Sequence, residues 1–538
     1  MKYLFFLSTW LLVFVPFGYA QDFTEATVKW GPEEERKGEF FIKLIGSQDE
    51  YTYTAWGQKG SLKIQKLNER LEPINEILIE RKYQGKSMDY EFSLLHGKAI
   101  RLFFSFYNKK AKKKYLLVKT LNLSDLNVMD ELKTIGSIDA QQKGISLGRG
   151  SSSETSGAFS YSMSRDENKL MIFFGNPGAK PGYEGFTFQV YNQEFEKEWE
   201  KEVELPYVNK LFSITDIRVD NPGNIHIAGK EYKPGRNENK RSEEFDYRII
   251  SWYQDTDRVT DYKVALQDEK IITDLQYAFN DKGELVCSGF YSNDDYRNVT
   301  GTFFLRIAVK DNKLLSRSIK EFDFEFVTQF MSDRQKKKAV KKEARGRDVE
   351  LYEYDLDDIV LRDDGGAILI GEQYYVQVVT RTSTNANGQM RTTTDYYYHF
   401  KDLIVVNISP EGNIDWNIRI PKIQVTRNDG GYRSSYHLKV VNNKIYFLFY
   451  DDDDNFELDP DEKPQRGGFE SIALVELEQS GEYVKYKFIP KEDIQVSMVP
   501  KQFSYLNEQE VLLYGSSRMG LSFSRRKYQF SRLVFKKE

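Results

Sequence analysis

The sequence has one cysteine, Cys287, in 538 residues, so no disulfide can form within the chain and stability must come from packing. Histidine is nearly as scarce. His96, His226, His399 and His437 are the only four, too few for a histidine-rich metal centre. No sign of charge dominates: 77 Lys+Arg against 82 Asp+Glu leave a net −5, which speaks against a general binder of polyanions, nucleic acid included. Beyond residue 20 no apolar run approaches the ~20 residues that a membrane-spanning helix needs. Walker A, HExxH and paired CxxC motifs are all missing. What the chain has in quantity is aromatic side chain, 35 Tyr and 37 Phe, too much for a disordered polypeptide.

The first twenty residues read as an export signal. Lys2 gives a short basic start, Tyr3 to Pro16 is almost wholly apolar, and Gly18-Tyr19-Ala20 puts small residues at a cleavage site before Gln21. Cleavage removes one lysine and no acid, so the mature chain is one charge more negative. No cysteine follows the cut to carry a lipid. The expected organisation is a signal peptide over 1–20 and one folded unit over 21–538, exported to the periplasm or the cell exterior, with no transmembrane segment after cleavage.

The folded part repeats itself. An apolar strand, a tight polar turn and a second apolar strand ending in Gly recur in Ile217–Gly229 (IRVDNPGNIHIAG), Tyr277–Gly289 (YAFNDKGELVCSG) and Ile359–Gly371 (IVLRDDGGAILIG). Looser copies lie at Ser162–Gly175, Tyr505–Gly515, Val440–Tyr450, Leu94–Ser105 and Ile45–Gly57. A second hairpin follows each copy, as in Phe304–Lys320, Leu403–Ile420 and Leu474–Ile489. Four short antiparallel strands, repeated, are the signature of a β-propeller blade. The fold class expected is therefore all-β: a single β-propeller of eight blades, with seven as the alternative. Units begin near Glu39, Asp89, Ala158, Phe212, Ile272, Asp355, Ser435 and Val499. The last unit stops one strand short, and Glu25–Trp30 is an orphan strand at the other end. Pairing the two would close the ring and bury an edge.

Gly366–Gln373 (GAILIGEQ), Ile404–Trp416, Ile420–Gly431 (IPKIQVTRNDGG) and the opening Val28-Lys29-Trp30-Gly31 resemble a group of uncharacterised secreted, propeller-like proteins of Bacteroidota bacteria. The resemblance spans about half the chain. It implies an exported location and propeller form, and no activity.

Strand parity assigns the loops to faces. With strands a to d numbered outward, a–b and c–d turns share one face, while b–c loops and d–a crossovers share the other. The a–b and c–d turns are short. The surplus chain, at 139–157, 232–244, 322–354, 376–398 and 451–469, falls in b–c or d–a connections and so gathers on one rim. Long loops on rigid scaffolds tend to carry function.

Three insertions supply candidate site residues. Val376–Tyr398 should form a projecting β-finger about an Asn387-Gly388 turn, flanked by Tyr374, Tyr375, Tyr396, Tyr397 and Tyr398. Those rings offer a contact surface for a glycan or a protein, or else pack at the finger's base. Arg334–Arg347 (RQKKKAVKKEARGR) suits a short exposed helix whose Lys336, Lys337, Lys338, Lys341 and Lys342 could attract an anionic partner, or simply sit in water. Asp451, Asp453, Asn455, Glu457, Asp459 and Glu462 match the oxygen spacing of a calcium loop. Phe456, however, occupies the position where such a loop turns on Gly, and an acidic solvated loop is the competing reading. No other cofactor is expected.

Catalytic motifs are weak. Gly144–Gly148 fits G-x-S-x-G without the strand and helix that would strain the nucleophile turn. Asp357, Asp358 and Glu372 could serve a glycosidase, which needs only two facing carboxylates. They could equally be tied up at strand ends. His226 and His437 read as packed or hydrogen-bonded, and Cys287 as a buried small hydrophobe. The reading is an exported propeller that binds or scaffolds an envelope protein or glycan through its insertion-bearing rim. The alternative is a carbohydrate-active propeller hydrolase. No specific activity is legible.

Overall fold

The computed structural model describes residues 23–139, 147, 154–155, 158–175, 182–235, 241–256, 258–280, 282–362, 364–384, 390–459, 462–464, 467–518 and 525–537. The export signal, the Gly144–Gly148 motif apart from Leu147, and the Asn387-Gly388 tip lie outside them. Among the described residues, eight antiparallel sheets of four or five strands follow one another along the chain. Their innermost strands are Phe40–Gln48, Asp89–His96, Phe159–Met163, Phe212–Val219, Ile271–Phe279, Tyr354–Leu361, His437–Val441 and Ser504–Asn507. These begin at or close to the starts of the eight repeats. Each sheet is a meander running a to d, the third and sixth with a small extra strand.

Closure is direct. The eighth sheet takes strands a to c from Ser504–Asn507, Glu510–Arg518 and Arg525–Phe535, and its d strand is Ala26–Lys37 from the other end of the chain. Pairing runs from Ala26 opposite Phe535 to Lys37 opposite Arg525, with one irregularity between Trp30 and Glu33. The closing strand thus extends past the expected Trp30. Its charged stretch Glu33-Glu34-Glu35-Arg36-Lys37 finds partners: Lys527 pairs with Glu33 at 2.9 Å.

Packing gives the same ring. Eight apolar clusters occur among the described residues, each formed between two successive sheets. The one that matters most joins the ends: Trp56, Leu67 and Leu71 of the first sheet pack on Leu512, Tyr514, Tyr528 and Phe530 of the eighth. Sheets covered on both faces need apolar residues at consecutive positions rather than alternate ones. That explains runs such as Ala367-Ile368-Leu369-Ile370, where Ala367 and Leu369 face the fifth sheet and Ile368 and Ile370 the seventh. A closed circle of radially packed four-stranded meanders is a β-propeller.

The repeat's terminal glycine has a steric cause. Gly289 lies opposite Leu275 of the neighbouring inner strand, and a Cβ there would sit 2.1 Å from the Asp274 carbonyl. Gly229 and Gly371 are likewise closed in by the rings of Phe212 and Phe290. The inner strands bulge nearby, between Ile214 and Asp216, between Ile272 and Asp274, and between Leu356 and Asp358. Bulges re-aim side chains, and those of the fourth and fifth sheets adjoin cavity-lining residues.

Candidate binding site on the insertion-bearing rim

A cavity of about 390 Å³ opens between the inner strands of the fourth, fifth and sixth sheets. Its lining includes Tyr277, Tyr296, Tyr354, Tyr374 and Tyr375 together with Asp216, Asp274 and Lys230. The bulges position the two acids, each of which follows a threonine in the same register of its unit. Neither is free for chemistry. Asp274 accepts from the Leu275 amide (3.0 Å), from the Tyr247 hydroxyl (3.0 Å) and from the Leu356 amide of the next sheet (2.9 Å). Asp216 accepts from its neighbour's amide, Ile217 (2.9 Å), and from the Arg218 guanidinium. Asp274 thereby stitches two adjacent inner strands together. Burial pushes the hydroxyls of Tyr277 and Tyr354 well above the usual tyrosine range, so both stay protonated as donors.

The expected finger is present. Strands Ala367–Thr384 and Met390–Ile408 pair from Ala367 opposite Ile408 out to Thr384 opposite Met390. Of the five flanking tyrosines, Tyr374 and Tyr375 line the cavity. Tyr375 stacks on His399 (4.4 Å between ring centres, 12° between planes), and the Lys401 ammonium lies 4.8 Å from the centre of the Tyr375 ring. Tyr374 tilts against Phe400. Tyr396 is exposed, whereas Tyr397 and Tyr398 are half-buried where a short strand, Gln424–Arg427, pairs with the finger's base. Tyr374 and Tyr375 thus combine cavity lining with ring packing at the finger's base, and Tyr396 is left exposed on the finger.

The basic segment is a helix, Asp333–Glu343, with a capping box between Ser332 and Gln335. Ala339 is buried, and Lys336, Lys337, Lys338, Lys341 and Lys342 are exposed. It follows a shorter helix, Phe324–Thr328, whose carbonyls at Phe326 and Val327 accept from Arg419 (2.9 and 3.2 Å). A second cavity of about 130 Å³ collects these parts: Phe330 and Gln335 from the helical insertion, Gln373 and Lys401 beside the tyrosines, and Lys463 and Pro464 from the acidic loop. The helix, the finger and the acidic loop thus meet around the sixth sheet.

The acidic loop satisfies itself with lysines. Asp451, fully buried, accepts from Asn455 (2.7 Å) and pairs with Lys485 (3.0 Å). Asp453 pairs with Lys487 (2.8 Å) and Lys491 (3.1 Å); burial opposes the effect, but bonds from Lys487, Ser471 and Lys491 bring its carboxyl down to about 2. Asp453–Phe456 forms a single 3-10 turn. Glu457, Asp459 and Glu462 follow it without converging on the first two acids: among the described residues, no group of three or more His, Cys, Asp or Glu is arranged to hold a metal ion.

Glu372 is not at a strand end. It is fully buried, pairs with Lys422 at 2.6 Å and accepts from Ser435 Oγ at 2.8 Å. His226 bonds Ser251 (2.8 Å) and Asp220 (3.2 Å), a buried network that fixes the Asp220–Asn224 turn. Cys287 is fully buried, and burial raises its thiol far above the ordinary range. Sequence reasoning missed Asp216, Asp274, Arg419 and Lys422. The first two carried a signal, since Ile214-Thr215-Asp216-Ile217 and Ile272-Thr273-Asp274-Leu275 are aligned copies.

The fold defines the class, a β-propeller. The chain is similar in form to the WD40 domain of SCAP from fission yeast (9% identity, TM-score 0.38, covering 94% of this chain and 98% of that one). It is also similar to the β-propeller domain of the Trilobed protease from Pyrococcus furiosus (10%, 0.33, 85% and 98%) and to the polysaccharide lyase Uly1 (9%, 0.33, 84% and 93%). No protein-family model and no curated protein matches the chain. Among the described residues no helix is long and apolar enough to cross a membrane.

Proposed function

We propose that this chain is an exported β-propeller that binds or scaffolds a protein or glycan partner of the cell envelope through its insertion-bearing rim. One observation carries the reading: the tyrosine-lined cavity of about 390 Å³ beside the finger, in which the two deep acids are already consumed by backbone amides and an arginine. Such a cavity offers ring faces and fixed polar groups for recognition, the usual make-up of a binding site. The exposed lysines of Asp333–Glu343 would add attraction for an anionic group on the same partner. The apolar start of the chain supports export.

The test uses the mature chain on a glycan array and as bait for envelope extracts. Tyr375→Ala should weaken capture about tenfold, as for an aromatic anchor at the centre of a contact. Capture that is indifferent to Tyr374→Ala and Tyr375→Ala would rule the cavity out as the binding site.

A further inference from the structure

The finger's b strand has one paired edge and one open edge. Beyond Gln373 the inner strand of the sixth sheet ends, and from Val376 to Thr384 only the c strand pairs with it among the described residues. Two observations fix which groups face outward. The Tyr374 amide donates to the Glu353 carbonyl (2.9 Å), away from the c strand. On the c strand, Tyr396 turns its amide and carbonyl away from the b strand to Asn428 (2.9 Å each), so its partner Val378 also has both groups outward. With a period of two, Val376, Val378, Thr380, Thr382 and Thr384 all present amide and carbonyl to solvent.

The two faces of the finger differ in charge. Val376, Val378, Thr380, Thr382 and Thr384 share one face with their partners Tyr398, Tyr396, Thr394, Thr392 and Met390, and that face is uncharged. The opposite face carries Arg381 and Arg391, plus Asp395. Asp395 is already engaged: Arg427 (2.7 Å) and Asn428 (3.0 Å) bond it and hold its carboxyl below the usual range. Neither Arg381 nor Arg391 has an ion pair among the described residues. A long unblunted edge of this kind is a template for another strand.

We propose that the open edge from Val376 to Thr384 accepts an extended segment of a partner protein by β-strand addition, one that alternates acidic residues with valine or threonine. The backbone ladder supplies affinity and the alternate side chains supply selection. The acids of the added strand meet Arg381 and Arg391, and its β-branched residues continue the uncharged face. A second copy of the finger fits less well, because antiparallel self-pairing brings two Arg381 side chains to the same face.

The probe is a synthetic peptide of about nine residues, long enough for a full strand, alternating glutamate with valine or threonine, beside its lysine-for-glutamate counterpart. Binding to the mature chain is read by fluorescence anisotropy. The glutamate peptide should bind at least about tenfold more tightly than the lysine peptide, and Arg381→Glu should invert that order. Val378→Pro removes one outward amide and no internal bond, and should weaken the glutamate peptide at least about tenfold. Equal binding of the two peptides, or binding unmoved by Val378→Pro, overturns the proposal. So does a dimer of the chain that Val378→Pro dissolves, since the edge would then belong to a second copy. Arg381→Glu leaves the backbone untouched, so the proposal stays testable even if proline weakens the fold. Cavity capture and peptide binding are read on separate probes, so either can fail alone.

Discussion

The eighth and sixth sheets handle surplus strand in opposite ways. In the eighth, the outer edge of Arg525–Phe535 is covered along its whole length by Ala26–Lys37, brought from the far end of the chain. In the sixth, two strands run far past their neighbours, and among the described residues no third strand covers the finger's edge from Val376 to Thr384. The ring thus closes its edge where an open one would let successive sheets separate. The finger's edge is open where the strand has already left the core, and where opening costs the ring little.

Four experiments probe that contrast, in descending order of effect. Deleting Ala26–Lys37 should cost stability on the order of the whole folding free energy, ~5–15 kcal/mol, seen as loss of a cooperative thermal transition. A truncated chain melting within a few degrees of the intact one would mean that closure is not what holds the ring. At the root of the finger, Glu372→Ala strands Lys422 in the core and should lower stability by roughly 3–5 kcal/mol in a denaturant titration. Replacing both residues with methionine should recover most of that loss.

The largest pH effects should belong to the ring's buried histidines, His96 among them. Burial, with Arg101 adding to it, holds the His96 imidazole down to about 4, while the unfolded chain protonates near 6.5. Between those values the unfolded state binds more protons, so stability falls as the pH drops through this window. From pH 7.5 to 5 the share of the loss due to His96 should be about 2 kcal/mol, and His96→Leu should remove that component from the denaturation profile. Least of all, Thr382→Ala on the finger should change global stability by under about 0.5 kcal/mol, since only an exposed cross-strand hydroxyl pair is lost.

Much of the architecture is legible in the sequence because propeller physics is periodic. The starts of the inner strands, the orphan closing strand and the finger each follow from apolar spacing and turn residues. What local pattern does not reveal are charges whose burial is tolerable only in three dimensions. Glu372 and Lys422 lie far apart along the chain, and nothing local marks them as a buried pair. The orphan strand is expected only as far as Trp30, because the charged Glu33–Lys37 is plausible as strand only once its partner, Arg525–Phe535, is known. The acidic loop matches a calcium pattern by spacing alone, while Lys485, Lys487 and Lys491, which occupy its oxygens, come from the neighbouring strand and the loop after it.

The most direct measurement is residue-resolved hydrogen exchange along the finger. With the edge open, the amides of Val376, Val378, Thr380, Thr382 and Thr384 should exchange rapidly in the free chain and those of Gln377, Val379, Arg381 and Ser383 slowly. The first set should slow when the glutamate peptide binds. Uniform protection of both sets in the free chain, or no slowing with peptide, would contradict an open, strand-accepting edge.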